Sequence, residues 1–304
     1  MIRKILTVLF LATGLATFGQ INMADSTVQV ITYWDKGEKQ NYTVNEEKIK
    51  LKGTDTTSIE KTNYDVEITV LKQTHKSYTV QWLYKNVKTN NTNSIIQKMM
   101  GVVENMKIIY KTDELGNFVE IENWKEVRSY IQKATDALKK EFKAIPEIDK
   151  IITQVAKTNS TKDAIESTPI KEIQQFHNFH GVKYKLGKVI EGQIEGVLYG
   201  TEPVDCDTTV CLDEINEEDN YFIIRSTQKM NKEQLANAAF NYMKILTKDT
   251  KIDLLKREDL KDSKSEVSTV SQISGTGWVI YSVQTAIATI DDTTSIVKRE
   301  IKIQ

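Results

Sequence analysis

The chain has 304 residues, 39% hydrophobic and 27% charged, with acidic and basic groups almost cancelling at a net charge of −1. That balance excludes an electrostatic footprint for nucleic acid or for an anionic membrane surface. Three prolines and thirteen glycines exclude a collagenous or low-complexity chain, and the apolar fraction suffices for a sizeable core.

Arg3 and Lys4 precede an apolar run from Ile5 to Ala16, and Thr17 and Gly19 stand three and one residues before Gln20. This is the three-part pattern of a cleavable export signal. The run is about a dozen residues, too short to cross a bilayer as a helix. No cysteine follows it, so no lipid anchor is expected, and no later segment is apolar enough for a membrane span. The expected layout is a signal peptide over residues 1–19 and one domain over residues 20–304. The domain is expected in the periplasm, at the outer-membrane surface or outside the cell.

Residues 26–122 read as strands. Val28, Val30, Thr32 and Trp34 alternate with polar neighbours; so do Tyr64, Val66, Ile68 and Val70, and then Tyr78, Val80, Trp82 and Tyr84. Period two marks a sheet with one buried and one wet face, usually antiparallel. Lys107 to Glu122 reads as a hairpin turning at Asp113–Asn117. Residues 123–180 read as helices. Asn123 and Glu126 have capping-box spacing, and Trp124, Val127, Ile131, Ala134 and Leu138 form a stripe. A second helix is expected after Pro146, carrying Ile148, Ile151, Ile152 and Val155. A third should start with Thr168 as cap and Pro169 at the first helical position and end at Gly181. Residues 181–304 return to strands, with one helix opened by Asn231 and Gln234 and a terminal hairpin of Trp278–Thr289 and Ser295–Ile303. The expected class is α+β: curved antiparallel sheet packed on a central helical block. A half-barrel with helices over its concave face and a two-layer sandwich both fit the pattern.

Cys206 and Cys211 are the only cysteines. In an exported chain they are expected to be bridged, closing a short loop. Residues 202–219 hold eight acidic groups and no basic one. From Asp205 they begin D-x-D-x-T, like a calcium loop that includes Asp207, but Val210 stands where the turn glycine belongs and Asn216 where the bidentate glutamate belongs. A solvated loop is the plainer reading. His177 and His180 share one helix face, as a metal pair requires, and they also continue the apolar stripe of Ile170 and Ile173. No catalytic residue and no cofactor is assigned: there is no G-x-S-x-G, no H-E-x-x-H, and Gly275–Gly277 is followed by no helix. The aromatic strands read as core, or as the wall of an apolar site formed by Tyr78, Val80, Trp82, Trp124, Val127 and Ile131.

The signal ending in FGQ, the Lys-, Asn- and Thr-rich composition, and the stretch TDELGNFVEIENWKEV from Thr112 to Val127 resemble uncharacterised secreted proteins of Bacteroidetes. The order of elements is also similar to the periplasmic lipoprotein-carrier fold, a curved sheet with helices inside. The first resemblance implies O-glycosylation at Asp-Ser/Thr triplets, which places candidates at Ser26, Thr56, Thr208 and Thr293. Three functions follow as expectations. The first is a non-enzymatic exported protein holding an apolar or lipidic ligand. The second is an envelope or surface interaction protein with a packed core. The third is a hydrolase without a familiar motif.

Overall fold

The computed structural model describes residues 20–92, 97, 101, 103–141, 143, 149–150, 152–153, 156–157, 160–167, 170–197, 202–247 and 256–304. The signal segment, Thr168 and Pro169, and most of the helix expected after Pro146 lie outside them. In chain order the strands are β1 (Ile21–Asn22), β2 (Thr27–Gln29), β3 (Lys39–Lys52), β4 (Asp55–Thr74), β5 (Ser77–Thr89), β6 (Lys107–Asp113) and β7 (Phe118–Ile121). They continue with β8 (Lys183–Lys185), β9 (Val189–Val197), β10 (Pro203–Asn216), β11 (Tyr221–Met230), β12 (Lys264–Ser274), β13 (Val279–Ile290) and β14 (Thr293–Ile303). The described helices of six residues or more are α1 (Trp124–Glu141), α2 (Lys162–Ser167), α3 (Lys171–His177) and α4 (Lys232–Leu246).

Alternation builds the sheet. β4 buries Tyr64, Val66, Ile68 and Val70, and β5 buries Tyr78, Val80, Trp82 and Tyr84, while Asp65 and Glu67 stay partly exposed. The same period buries Val28, Val30, Thr32 and Trp34. Eleven strands pair antiparallel in the order β7-β6-β5-β4-β3-β14-β13-β12-β11-β10-β9. β1, β2 and β8 make a small second sheet.

The large sheet must coil. His177, at the end of α3, is 2.9 Å from the Tyr110 hydroxyl on β6. The next residue, Asn178, donates to Ser226 on β11 at 3.2 Å. Those strands lie seven spacings apart in the sheet order, about 34 Å if the sheet were flat. The sheet therefore curls round α3, and it remains open, with β7 and β9 as its two ends.

The expected α+β class is thus corrected: the fold is mostly sheet, and among the described residues of 123–180 no helical block forms its core. α1 buries only Val127 and Thr135 and lies against β6 and α2 at one end of the sheet. Its stripe is real but narrow, and the rest of its surface is charged. The buried helix is α3, seven residues long, which buries Glu172, Ile173, Gln175, Phe176 and His177. α3 leaves Lys171 and Gln174 exposed and buries its other five residues, so it fills the concavity better than a helix with one narrow apolar stripe. α3 ends at His177, before Gly181, whose N–H instead donates to the Val30 carbonyl at 2.7 Å. The two asparagine caps also diverge. Asn231 accepts from the N–H groups of Glu233 and Gln234 as a true N-cap. The Asn123 side chain accepts from Ile109 of β6 at 2.8 Å, and Glu126 bonds its amide instead of completing a backbone box.

The expected disulfide is corrected as well. Cys206 and Cys211 are both free, and both stand on β10. Five residues of extended strand separate them by about 17 Å and turn them to opposite faces. A bridge needs Cα atoms within about 7 Å. The acidic stretch read as a loop is mostly this strand, held between β9 and β11. Unreduced, denatured protein is therefore expected to take up two equivalents of an alkylating reagent. The folded protein should react first at half-buried Cys211, and slowly, because burial pushes both thiols up. A mass showing no alkylation after denaturation would restore the bridge.

Candidate functional site

The concave side of the sheet gathers the chain's most unusual chemistry around α3. Glu172 is buried and accepts from the Tyr64 hydroxyl of β4 at 3.4 Å and from the Tyr84 hydroxyl of β5. Arg299 of β14 is 6% exposed and donates through Nε and Nη2 to Glu46 of β3, at 3.0 and 2.6 Å. Lys48 adds a second ion pair to Glu46 at 3.0 Å. Burial pushes the two tyrosine hydroxyls well up, and the Glu172 charge adds to it, so both remain donors. Burial also raises Glu46, but Arg299 and Lys48 outweigh it and hold the carboxyl below its ordinary range. Burial opposes the Arg299 charge, yet Glu172 and Glu46 keep it more firmly protonated than usual. Toward the other side of the concavity, Gln175 donates to Ser282 at 3.0 Å, and Ser271 donates to Ser282 at 2.8 Å. The helix is thus tied by polar contacts to strands from both halves of the chain.

Beyond Glu172 the interior is aromatic. Phe176 lies 5.5 Å from Tyr42, 5.8 Å from Trp82, 6.4 Å from Trp34 and 6.3 Å from Trp278, between ring centroids. Trp34 and Trp278 stack at 4.1 Å. The candidate metal pair, His177 and His180, belongs to this packed region, with rings 5.1 Å apart. Each histidine uses a ring nitrogen on the backbone. His177 Nδ1 is 2.8 Å from the Gly116 carbonyl and His180 Nε2 is 2.9 Å from that of Gly277. A carbonyl only accepts, so those nitrogens carry the protons, and neutral His177 accepts from Tyr110 through Nε2. Both carbonyls come from hairpin-tip glycines at positive φ, +95° and +85°. A Cβ at Gly116 would meet Thr32 at 2.5 Å, and one at Gly277 would meet the Ile31 carbonyl at 2.3 Å. Glycine therefore lets two hairpin tips reach the pair. Asp205 and Asp207, the other metal candidates, lie on β10, where they accept from Gln234 at 2.8 Å and Gln193 at 3.3 Å. Among the described residues no group of three or more His, Cys, Asp or Glu side chains is placed to hold a metal ion.

The histidines give a pH prediction. Burial first, then the neighbouring His180, hold His177 well below 6.5, and burial holds His180 down at about 4. Unfolded histidines take up protons near pH 6.5. The stability that comes from keeping these rings neutral is thus complete above about pH 6.5 and is lost as pH falls from there toward the folded values. For His180 alone the loss is of order 3 kcal/mol. Urea midpoints should hold steady from pH 7.5 to 6.5 and fall between 6.5 and 5, above the range of ordinary carboxylates. A midpoint that stays level to pH 5 would contradict this.

The residues expected to line an apolar site part company. Tyr78, Val80, Trp82 and Val127 are buried within the core. Trp124 and Ile131 pack half-buried at its margin. The space in front of Trp82 is taken by Phe176, and Tyr78 donates to the Thr32 carbonyl at 2.9 Å. An open cleft of about 500 Å³ reaches Glu46 from outside and has polar residues round it, among them Asn45, Glu47, Lys61, Lys298 and Glu300. Of the glycosylation candidates, Thr56 and Thr293 are exposed beside two neighbouring hairpin tips, where the Gly53 N–H donates to the Asp292 carbonyl at 2.7 Å. Ser26 is half-buried at a turn, and Thr208 lies in mid-strand between Gly192 and Gln228.

Sequence reasoning missed the Glu46–Arg299 pair and Glu172. The signal for Arg299 was its place in the alternation Val297, Arg299, Ile301, Ile303, a charge on the face that carries apolar residues.

No family model matches the chain, and no curated protein matches it. Among solved structures it is similar to a "putative exported protein with YMCC-like fold" from Bacteroides fragilis, at 5% identity over 91% of this chain and 99% of that chain, with a TM-score of 0.24. It is also similar to an outer membrane channel from Pseudomonas putida, at 7% identity over 90% and 98% of the two chains, with a TM-score of 0.17. At those TM-scores neither likeness carries an argument about fold or function.

Proposed function

We propose that the protein is an exported interaction protein of the cell envelope, built on a packed core. The observation that carries this is the filled concavity. Phe176, Trp34, Trp82 and Trp278 occupy the space where an apolar ligand would have to sit. A carrier instead keeps a cavity of roughly 300–1,000 Å³ lined mostly by apolar groups. The leader pattern over residues 1–19 supports export. The exposure of Thr56 and Thr293 supports glycan attachment at the β3–β4 and β13–β14 hairpin tips.

Native mass spectrometry of protein purified from its own host tests the reading. The expected result is the chain with a protein partner, and with glycan mass if the two threonines are modified. A stoichiometric lipid or other apolar small molecule would overturn it in favour of a carrier. A chain that leaves cross-linked envelopes with no protein partner would overturn it too.

A further inference from the structure

The two ends of the large sheet are treated differently. β7 is four residues long, and α2 closes over it. The Ile121 N–H donates to Glu166 of that helix at 2.7 Å, and Lys162 pairs with Glu120. β9 is nine residues long, and no described strand pairs with its outer edge. Residues 189–195 are all exposed. Edges of this length are normally shortened, bulged, covered or studded with lysine, because their free N–H and C=O groups template another strand.

β9 has two unlike faces. Ile190 and Ile194, 38% and 42% exposed, lie on one side, with Gly192 between them. A Cβ at Gly192 would come no nearer than 3.8 Å to another side chain, so packing within the chain does not demand a glycine in that notch. Glu191, Gln193 and Glu195 lie on the other side, and the register sets Asp205 beside Glu195 and Asp207 beside Gln193. Neither β9 nor β10 contains a lysine or arginine.

We propose that β9 is a docking edge for an extended segment of a partner protein, which adds as a further strand and carries lysine or arginine on alternate positions and apolar residues between them. The basic side chains face Glu191 and Glu195, and the apolar ones face Ile190 and Ile194. Main-chain hydrogen bonds give such an addition its affinity, and the alternating side chains give it selectivity. A second copy of this chain fits less well. Antiparallel self-pairing centred on Gln193 would set Glu191 of each copy against Glu195 of the other, and like charges directly opposite destabilise a strand pair. The proposal rests on the reading of the protein as an interaction protein, and it names the surface and the chemistry of the partner.

The full mature chain is titrated with a synthetic decapeptide alternating Val and Lys, with its Val/Glu counterpart, and with a Val/Lys peptide N-methylated at alternate residues. Amide hydrogen exchange is followed in parallel. The Val/Lys peptide should bind and slow exchange across residues 189–197. The methylated peptide should bind at least about tenfold more weakly, and the E191K/E195K double variant should lose about tenfold for Val/Lys while gaining for Val/Glu. Both substituted positions are exposed, so the fold should survive. Exchange unchanged in β9, equal binding of the methylated peptide, or an unchanged double variant would each overturn the proposal. A concentration-dependent dimer protecting the same amides would overturn it in favour of a second copy. A host partner that protects some other surface would sink the docking edge and leave the interaction reading standing, whereas a retained lipid would sink that reading.

Discussion

Replacing Arg299 by alanine should destabilise the protein by about 3–5 kcal/mol, because it leaves the half-buried Glu46 with exposed Lys48 in place of a buried cation and removes the charge that balances buried Glu172. The pair spans β3 and β14, so the loss is felt at the seam between the two halves of the sheet. Removing both charges tells the cost of breaking the pair from the value of having it. The double variant Glu46→Leu, Arg299→Met should recover much of the loss, since an apolar pair of similar volume is commonly no worse than a buried ion pair. Urea unfolding followed by tryptophan fluorescence measures both. An R299A variant within about 1 kcal/mol of the parent would show that water reaches and screens the site. The pair also sets a second acid transition. Glu46 is held below its ordinary value, so its contribution is present above the unfolded carboxylate value of about 4.3 and is lost as pH falls through the folded one. It therefore fails after the histidines do.

Phe176→Ala should cost about 3–5 kcal/mol and create an apolar cavity. Phe176 is 1% exposed and touches rings from the segment before β3, from β3, from β5, from α3 and from the turn before β13. Those rings are held by different strands and cannot close in together. The variant should therefore bind a small hydrophobic probe such as benzene, detected by a rise in melting temperature, while the parent protein does not respond. A parent that binds the probe as well as the variant does would revive the carrier reading. A Phe176 variant of undiminished stability would mean that the concavity is not packed.

The strands were legible because their signal is local. Tyr64 to Val70 and Tyr78 to Tyr84 alternate, and the sheet buries those residues. The helix after Asn231 was legible for the same reason, with its start marked by Asn231 and Gln234 three residues on. What could not be read was which stripe reaches the core. The stripe of α1 and the segment from Ile170 to His180 look equally helical, and only the curl of the sheet decides between them. That curl depends on β3 pairing with β14, about 250 residues away, and periodicity holds no record of it. The cysteines failed for a related reason. The prior from an exporting context favoured a bridge, and the acidic run suggested a loop, but β9 and β11 on either side hold DCDTTVC extended. The β9 run was read as a strand. Its place at an open end belongs to topology, as does the bond by which Glu166 closes the opposite end.

β14 comes last in chain order among the described strands, yet it sits in the middle of the sheet, between β3 and β13. The order of assembly follows from that. From β3 to β7 each strand pairs with the next one in sequence, and so it does from β9 to β13, with α4 between β11 and β12, but each set then ends in a bare strand, β3 in one and β13 in the other. Joining them waits for residues 293–303, and the loop that closes spans most of the chain. Contacts so distant in sequence make folding slow. During that delay two unpaired central strands are open to pairing with other molecules, which is the usual route to aggregation for a β-rich intermediate. A protein built this way gains from being kept extended until its last strand is free to enter, and a deletion of those eleven residues should leave two half-sheets instead of a slightly shortened fold.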